Sequence, residues 1–342
     1  MNRAFFSLIL LGGCSGGNSL QCDSGVEVGP DDTACPVECF NTISTQSPSV
    51  DQSGVYYRSN LSVKLVEADT NATITLTSSS GDVAGTIAHD ATTIWFAPDA
   101  PLAPSTTYTA TVDYCSGQKS ASWDFTTSAV GTAVTDSSSL VGGVYSMNLK
   151  DSTVTKPAGI GVLLADNLDT ELLLRVHSLS GADLQIIGGV SPQGTCEPSI
   201  TFPGASFSED PYFTVGPDTT VLAVDDIEVN IGDLFISGAF SADGTSIEGA
   251  TLSGLVDTRP LVALIDETGP PETICDLAVG MGASCVPCAD GVALCLDLEL
   301  IDMTAVKSDE SMQPQHTNAT TSPLSGSVNV CDDSTCSGTS GC

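Results

Sequence analysis

Four cysteines between positions 275 and 295 are the densest concentration of reactive side chains in this chain. Cys285-Val286-Pro287-Cys288 forms a C-x-x-C pair, with Cys275 and Cys295 on either side. Three chemistries use such a set. Four thiolates can hold a structural zinc, a C-x-x-C pair can be redox-active through a lowered thiol pKa, and four cysteines can close two disulfides. Zinc sites of this type usually carry two C-x-x-C pairs, and this segment has one. No thioredoxin-like βαβ pattern surrounds it. Two structural disulfides are therefore expected, with metal binding and redox work as the alternatives. The chain has 13 cysteines. Setting Cys14 apart leaves an even set: Cys22, Cys35, Cys39, Cys115, Cys196, the four above, Cys331, Cys336 and Cys342. An even set suits disulfides in an oxidising compartment, although spacing does not give the pairing.

Other reactive groups are sparse. The histidines are His89, beside Asp90 in an expected turn, His177, on an expected strand with Arg175, and His316, in a polar tail. There is no G-x-S-x-G elbow, H-E-x-x-H helix or Gly-rich phosphate loop. The expected protein is not an enzyme and no catalytic residue is assigned. A metal-dependent extracellular hydrolase using His177 is the remaining enzymatic reading. Asp210, Asp218, Asp225 and Asp226 offer oxygens that could suit calcium, but no D-x-D-x-D-G loop frames them. They read as solvated loop charge, and neither metal nor cofactor is assigned. Arg259, in Asp257-Thr258-Arg259-Pro260, reads as one half of an ion pair, with an anionic ligand as the alternative.

Composition narrows the classes further. Of 342 residues, 42 are acidic and 9 basic, giving a net charge of −33. Nucleic acid and anionic membrane surfaces are poor partners for such a chain. The hydrophobic share of 41% excludes global disorder, and the length suits two domains.

The first residues read as an address. Met1-Asn2-Arg3 is a short basic start, Ala4 to Leu11 is apolar apart from Ser7, and Gly12-Gly13-Cys14 follows. The run is too short for a membrane span and has the layout of an export signal. Leu11-Gly12-Gly13-Cys14 resembles the lipobox of bacterial lipoproteins. The resemblance implies cleavage before Cys14, lipid attachment at that cysteine (diacylglycerol with a further acyl chain such as palmitate), and a membrane anchor. Ser15 in place of an aspartate favours the outer membrane of a Gram-negative cell envelope. The expected divisions are a signal peptide at 1–13 and a Cys-containing tether at 14–40.

The elements beyond are β-strands. Ser62 to Glu67, Ala72 to Thr77 and Thr106 to Val112 alternate apolar and polar residues, the period of a half-buried strand. Pro98, Pro101 and Pro104 mark a connection. Thr92-Thr93-Ile94-Trp95-Phe96-Ala97-Pro98, then Leu102, then Ser105-Thr106-Thr107-Tyr108, then Trp123-Asp124-Phe125-Thr126-Thr127 resemble bacterial Ig-like domains of the S-layer-associated type. That resemblance implies a seven-stranded sandwich over 41–128, acting as a spacer or adhesive module without catalytic residues. It makes Tyr108 a tyrosine-corner residue. Trp95, Trp123 and Phe125 are expected in the core.

Residues 129–140 are small and polar and read as a linker. A second β-rich domain is expected over 141–309, as a curled sheet or barrel with one or two short helices. Ala158 to Leu168 could be a helix or buried turn. Ser241-Ala242-Asp243-Gly244-Thr245 is a hairpin turn, and Glu272 to Met281 a short helix. Residues 310–342 read as a disordered tail of low complexity. The expected fold class is mainly β, and the expected function is a lipid-anchored envelope or surface protein. Its Ig-like spacer presents a β-rich head to a protein or glycan partner, with no nucleic acid involved. A carrier of a small apolar ligand such as a lipid is the alternative.

Overall fold

Nine strands between Ile43 and Thr127 build two facing sheets. The structure is a computed structural model that describes residues 39–157, 171–191, 200–224, 227–264, 268–310 and 312. The strands are β1 Ile43–Ser47, β2 Gln52–Val55, β3 Leu61–Leu65, β4 Thr73–Ser78, β5 Gly81–Asp82, β6 Gly85–Asp90, β7 Thr93–Pro98, β8 Thr107–Tyr114 and β9 Lys119–Thr127. One sheet runs β1-β3-β7-β6 and the other β2-β9-β8-β4-β5. In β8 every second residue is buried, so Tyr108, Ala110, Val112 and Tyr114 face the core while the threonines face out. Leu61, Val63 and Leu65 of β3, Ile74 and Leu76 of β4, and Trp123 and Phe125 of β9 complete that core. Tyr108 stacks on its cross-strand partner Phe125 at 5.7 Å between ring centres. Its hydroxyl accepts from the Ala103 amide at 2.7 Å, the corner role expected of it. The Trp123 indole donates to the Pro48 carbonyl at 2.9 Å.

Three expectations for this half need correction. Trp95 is not in the core: it is 43% exposed. Its neighbours Ile94 and Phe96 take the inward places, and the period of two leaves Trp95 facing out. His89 lies on β6, not in a turn, and its Nε2 bonds the Ala72 carbonyl at 2.9 Å. The strands number nine, because β2 and the two-residue β5 extend the second sheet.

The second half is a closed barrel. Its strands are β10 Val144–Asn148, β11 Thr153–Lys156, β12 Glu171–Ser180, β13 Asp183–Val190, β14 Ile200–Thr201, β15 Ala205–Glu209, β16 Tyr212–Val224, β17 Ile227–Phe240, β18 Ser246–Asp257 and β19 Cys295–Ser308. Eight of them form the wall in the order β10-β12-β13-β15-β16-β17-β18-β19, every pair antiparallel. Pairing of β10 with β19, from Val144 opposite Ser308 to Met147 opposite Ala305, closes the ring. β11 continues along β19 beyond β10, and β14 adds to β13. Closure removes the exposed edges that an open sheet would present.

Inward residues fill the ring. Tyr145 and Met147, Leu172 and Leu174, Phe213 and Val215, Leu234 and Ile236, and Met303 and Ala305 belong to one buried cluster. Phe240 sits at its aromatic centre, with ring centres of Phe213, Tyr145 and Phe207 at 5.1, 5.5 and 5.9 Å. Burial of each such ring contributes roughly 1.5–3 kcal/mol. The hairpin turn after Phe240 is the one expected. The Asp243 carboxylate accepts from the Ser241 hydroxyl at 2.7 Å and the Thr245 amide at 3.1 Å.

The segment expected to be a linker is docked, and so are Glu310 and Met312 at the start of the expected tail, whose residues 313–342 lie outside the described ones. In the 129–140 segment Val130, Val134 and Leu140 are buried, and Ser137–Leu140 forms a 3-10 turn capped by Asp136. At the far end, Met312 is 1% exposed, against Val144, Leu173 and Ile187 on the outside of the barrel. Arg175 donates to the Met312 carbonyl, and Ser191 donates to Glu310 at 2.8 Å. Contacts with the wall therefore continue past position 310, where the sequence turns polar. Segment 158–168 lies outside the described residues.

Candidate functional site

Three of the four clustered cysteines sit in one insertion between β18 and β19, and Cys295 opens β19. The insertion holds a 3-10 turn, Pro260–Leu264, and helix α1, Thr273–Gly280. Cys275 is bonded to Cys285 and Cys288 to Cys295. All four sulfurs are thereby paired, as in the disulfide reading. The insertion straddles the barrel rim. Ala278 and Ala283 pack on Leu296, whereas Leu255 packs on the disulfide cluster. Leu296 pairs with Val256, and Val256 and Leu255 point to opposite faces, so the two contacts grip the wall from both sides.

Arg259 ties this cap to the wall. Its Nε and Nη2 bond Asp257 at 2.8 and 2.6 Å, a fork-on-carboxylate geometry, and its Nη1 reaches Asp290 at 2.5 Å. The guanidinium hydrogen bond holds the Asp257 carboxyl below its usual pKa. Asp290 is lowered first by the Val292 amide and then by Arg259, and Arg259 is itself raised, chiefly by its bond to Asp257. Beside this triad lies a cleft of about 430 Å³, lined by Thr219, Asn230, Leu255, Pro287 and the Cys288–Cys295 bridge among others. With both carboxylates on it, Arg259 is the ion-pair residue expected, and its charge is spent within the fold.

The other candidate place is the junction of the two halves. Tyr56, Tyr57 and Arg58 follow β2 and meet the outer wall of the barrel. The Arg58 guanidinium lies 3.9 Å from the Tyr212 ring centre and 5.5 Å from that of Tyr57, and it pairs with Glu209. Tyr57 packs with Val130 and Ala239. Two glycines make room for the rings. A side chain at Gly131 would meet the Tyr57 ring at 2.9 Å, and one at Gly249 the Tyr56 ring at 2.5 Å, and both have positive φ. The Val134 amide donates to Asp210 at 2.9 Å and the Thr135 amide to the Ala242 carbonyl at 2.8 Å. Asp210 is thus part of the junction.

Between the halves runs a cleft of about 350 Å³, lined by Ser47, Gln52, Tyr56, Ser59, Glu248, Asp302 and Thr304 among others. The Tyr56 hydroxyl is buried without a hydrogen-bond partner, and burial, then Tyr57, raises its pKa. Burial also raises the Asp302 carboxyl. Sequence reasoning missed this junction. The available signal was an aromatic pair followed by one of only nine cations in an acidic chain.

The remaining candidates do not converge. His177 is exposed on β12, and Asp218 only accepts from its neighbour Thr219 at 2.7 Å. Cys14, Asp225, Asp226 and His316 lie outside the described residues. Among the described residues, no three His, Cys, Asp or Glu side chains gather as metal ligands, and no helix is long and apolar enough to cross a membrane.

Residues 41–127 match the bacterial Ig-like domain family, so this quarter of the chain is an Ig-like domain. The described strands between Val144 and Ser308 form an eight-stranded barrel joined to it. No curated protein resembles the chain in sequence. Among solved structures, an L,D-transpeptidase from Mycobacterium smegmatis aligns at 14% identity and a TM-score of 0.21, over 45% of this chain and 78% of its own. L,D-transpeptidase 1 of Mycobacterium tuberculosis aligns at 12% identity and 0.20, over 46% and 80%. A chimeric titin Z1Z2 tandem aligns at 11% and 0.19, over 60% and 93%.

Proposed function

We propose that this chain is a lipid-anchored protein of the bacterial cell envelope, held through Cys14. Its Ig-like domain, of the S-layer-associated type, is a spacer, and its barrel is a non-enzymatic head that meets a protein or glycan partner. The observation that carries the spacer reading is the path of the chain. Cys39 is bonded to Cys115, in the turn between β8 and β9, and Lys119 donates to the Asn41 carbonyl at 2.9 Å. The chain therefore joins the sandwich at one end. It leaves after Thr127, at the other end of the nine-residue β9. Nine extended residues span about 30 Å, so the domain separates whatever precedes Cys39 from the barrel by roughly that distance. Serine after Cys14 favours the outer membrane, and a multiply acylated cysteine is a stable anchor.

Fractionation of cells carrying wild-type or Cys14→Ser protein tests the anchor. The expected result is palmitate labelling and membrane retention for the wild type and release of the variant. Full retention of the unlabelled variant would overturn the anchor.

A carrier of a small apolar ligand is the second reading, favoured by barrel closure, because eight strands enclose a space that fits either side chains or one small ligand. The aromatic cluster around Phe240 already fills part of that space. Mass spectrometry of an organic extract of the purified protein separates the two: a stoichiometric lipid selects the carrier.

A further inference from the structure

We infer that the Ig-like domain is itself a ligand-binding surface, and that the sheet face carrying Trp95 stacks the pyranose ring of a neutral polysaccharide. The inference does not depend on the anchor or on what the barrel binds. It starts from register. Ser47 stands opposite Ser62, Ser62 opposite Trp95, and Trp95 opposite Ala88. Directly opposed residues share a face, so one row across all four strands reads Ser47, Ser62, Trp95, Ala88. The only large side chain in that row is flanked on both sides by one- or two-atom side chains, which cannot cover an indole. Trp95 is accordingly 43% exposed, while the other tryptophan, Trp123, is 4% exposed with its indole bonded to a carbonyl.

The chemistry of the row selects the occupant. An aromatic face carries negative charge density and attracts the slightly positive C–H groups of an apolar sugar face. Hydroxyls beside it match sugar hydroxyls. A protein partner of standard size needs about 800 Å² per side with a clustered apolar centre, and one indole among serines and an alanine does not supply that. Charge points the same way. In a chain of net charge −33, the adjacent row carries Lys64 and Asp90, one of each sign, on the same face. The surface is locally balanced, which suits a neutral ligand.

The row also leads somewhere. Ser47 lies two strand spacings from Trp95, about 10 Å, and it lines the cleft between the two halves. A linear chain stacked on Trp95 and running over Ser62 and Ser47 reaches a cleft walled by Gln52, Ser59, Glu248, Asp302 and Thr304, all able to bond hydroxyls. A polysaccharide, rather than a single sugar, fits that length.

Native electrophoresis of the full chain through gels containing laminarin, xylan, hydroxyethylcellulose or soluble starch tests the inference, with alginate as an anionic control. The expected result is retardation by at least one neutral polymer, unchanged by added salt, and weakened roughly tenfold in Trp95→Ala. Trp95→Tyr is expected to keep part of the binding. Circular dichroism and thermal unfolding of Trp95→Ala should match the wild type, because the side chain is outside the core. No retardation by any neutral polymer would overturn the inference. So would equal retardation of Trp95→Ala, or binding to alginate alone that salt abolishes. Sedimentation gives one further check: a wild-type dimer that Trp95→Ala converts to monomer would make the face a self-association surface instead.

Discussion

The sandwich and the barrel solve one problem in opposite ways. Both must bury one face of every strand. The sandwich does so by crossing between sheets, so that β2 lies beside β9 in parallel and β3 beside β7. Its two ends are fixed separately, by the Cys39–Cys115 bond at one and the Tyr108 corner at the other. The barrel pairs consecutive strands almost throughout and then depends on one closing contact, β10 with β19. Its described disulfides, Cys275–Cys285 and Cys288–Cys295, do not fasten the wall to itself across that contact. They shape the insertion at the rim. The sandwich is thus held at many independent points, and the barrel by the completeness of its ring.

Four experiments can break or sharpen that contrast. The largest effect is expected from Phe240→Ala, which removes the ring that three other aromatics touch. A loss of roughly 3–5 kcal/mol is expected in the barrel transition, and urea unfolding followed by near-ultraviolet circular dichroism should show the sandwich transition unmoved. If both transitions shift equally, the two halves unfold as one unit. Next, Cys39→Ser with Cys115→Ser should cost the sandwich roughly 4 kcal/mol, because that bond closes a loop of 76 residues. Opening Cys275–Cys285, a separation of 10, should cost only about 2–3 kcal/mol, read as thermal midpoints of the single and double variants.

Arg58→Ala should have a smaller effect of about 1 kcal/mol, since its ion pair and ring contacts are part-exposed. It should move the two unfolding transitions further apart in calorimetry; transitions spaced as in the wild type would deny coupling through Arg58.

The smallest effects are expected from pH, with opposite signs at the rim and at the junction. The Asp257 carboxyl is held down in the folded state, so its contribution is present above the unfolded value of about 4 and is lost as pH falls below it. The Asp302 carboxyl is held up by burial, in a cleft that also holds Glu248 and Tyr56. Its neutral form is the favoured one, so its contribution is present below about 4 and lost as pH rises through the higher folded value. Hydrogen exchange between pH 3 and pH 7 (a range set about the carboxylate values) should show the cap of Asp257→Asn losing its acid sensitivity. Asp302→Asn should make the junction firmer at neutral pH. A cap equally acid-labile in Asp257→Asn would assign that lability to another group.

These contrasts also mark what the sequence could reveal. The sandwich was legible because its strands alternate strictly and its Tyr108 and Phe125 stand at recognisable spacings. Parts of the barrel were legible too, as in the strand that carries Arg175 and His177 and the turn around Asp243. Closure was not, because a period of two assigns faces within a strand and says nothing about which strand lies beside it. Trp95 was misread as core for a related reason. Ile94, Trp95 and Phe96 are all large and apolar, so composition alone did not show which parity faces in. The junction was hidden because each of its parts looks ordinary until Arg58 and Glu209, 151 positions apart, come together.

The pairing of β10 with β19 also sets an order in time. A chain made from its N-terminus presents a complete sandwich once Thr127 has emerged, and that half can fold while the rest is still being made. The barrel cannot: its first strand waits for a partner that ends at Ser308, more than 160 positions later. Until that strand arrives, seven strands expose an apolar interior and two unpaired borders to other chains. The interval between the two events is the period in which this protein is most exposed to aggregation, and a shortened chain that lacks β19 never leaves it.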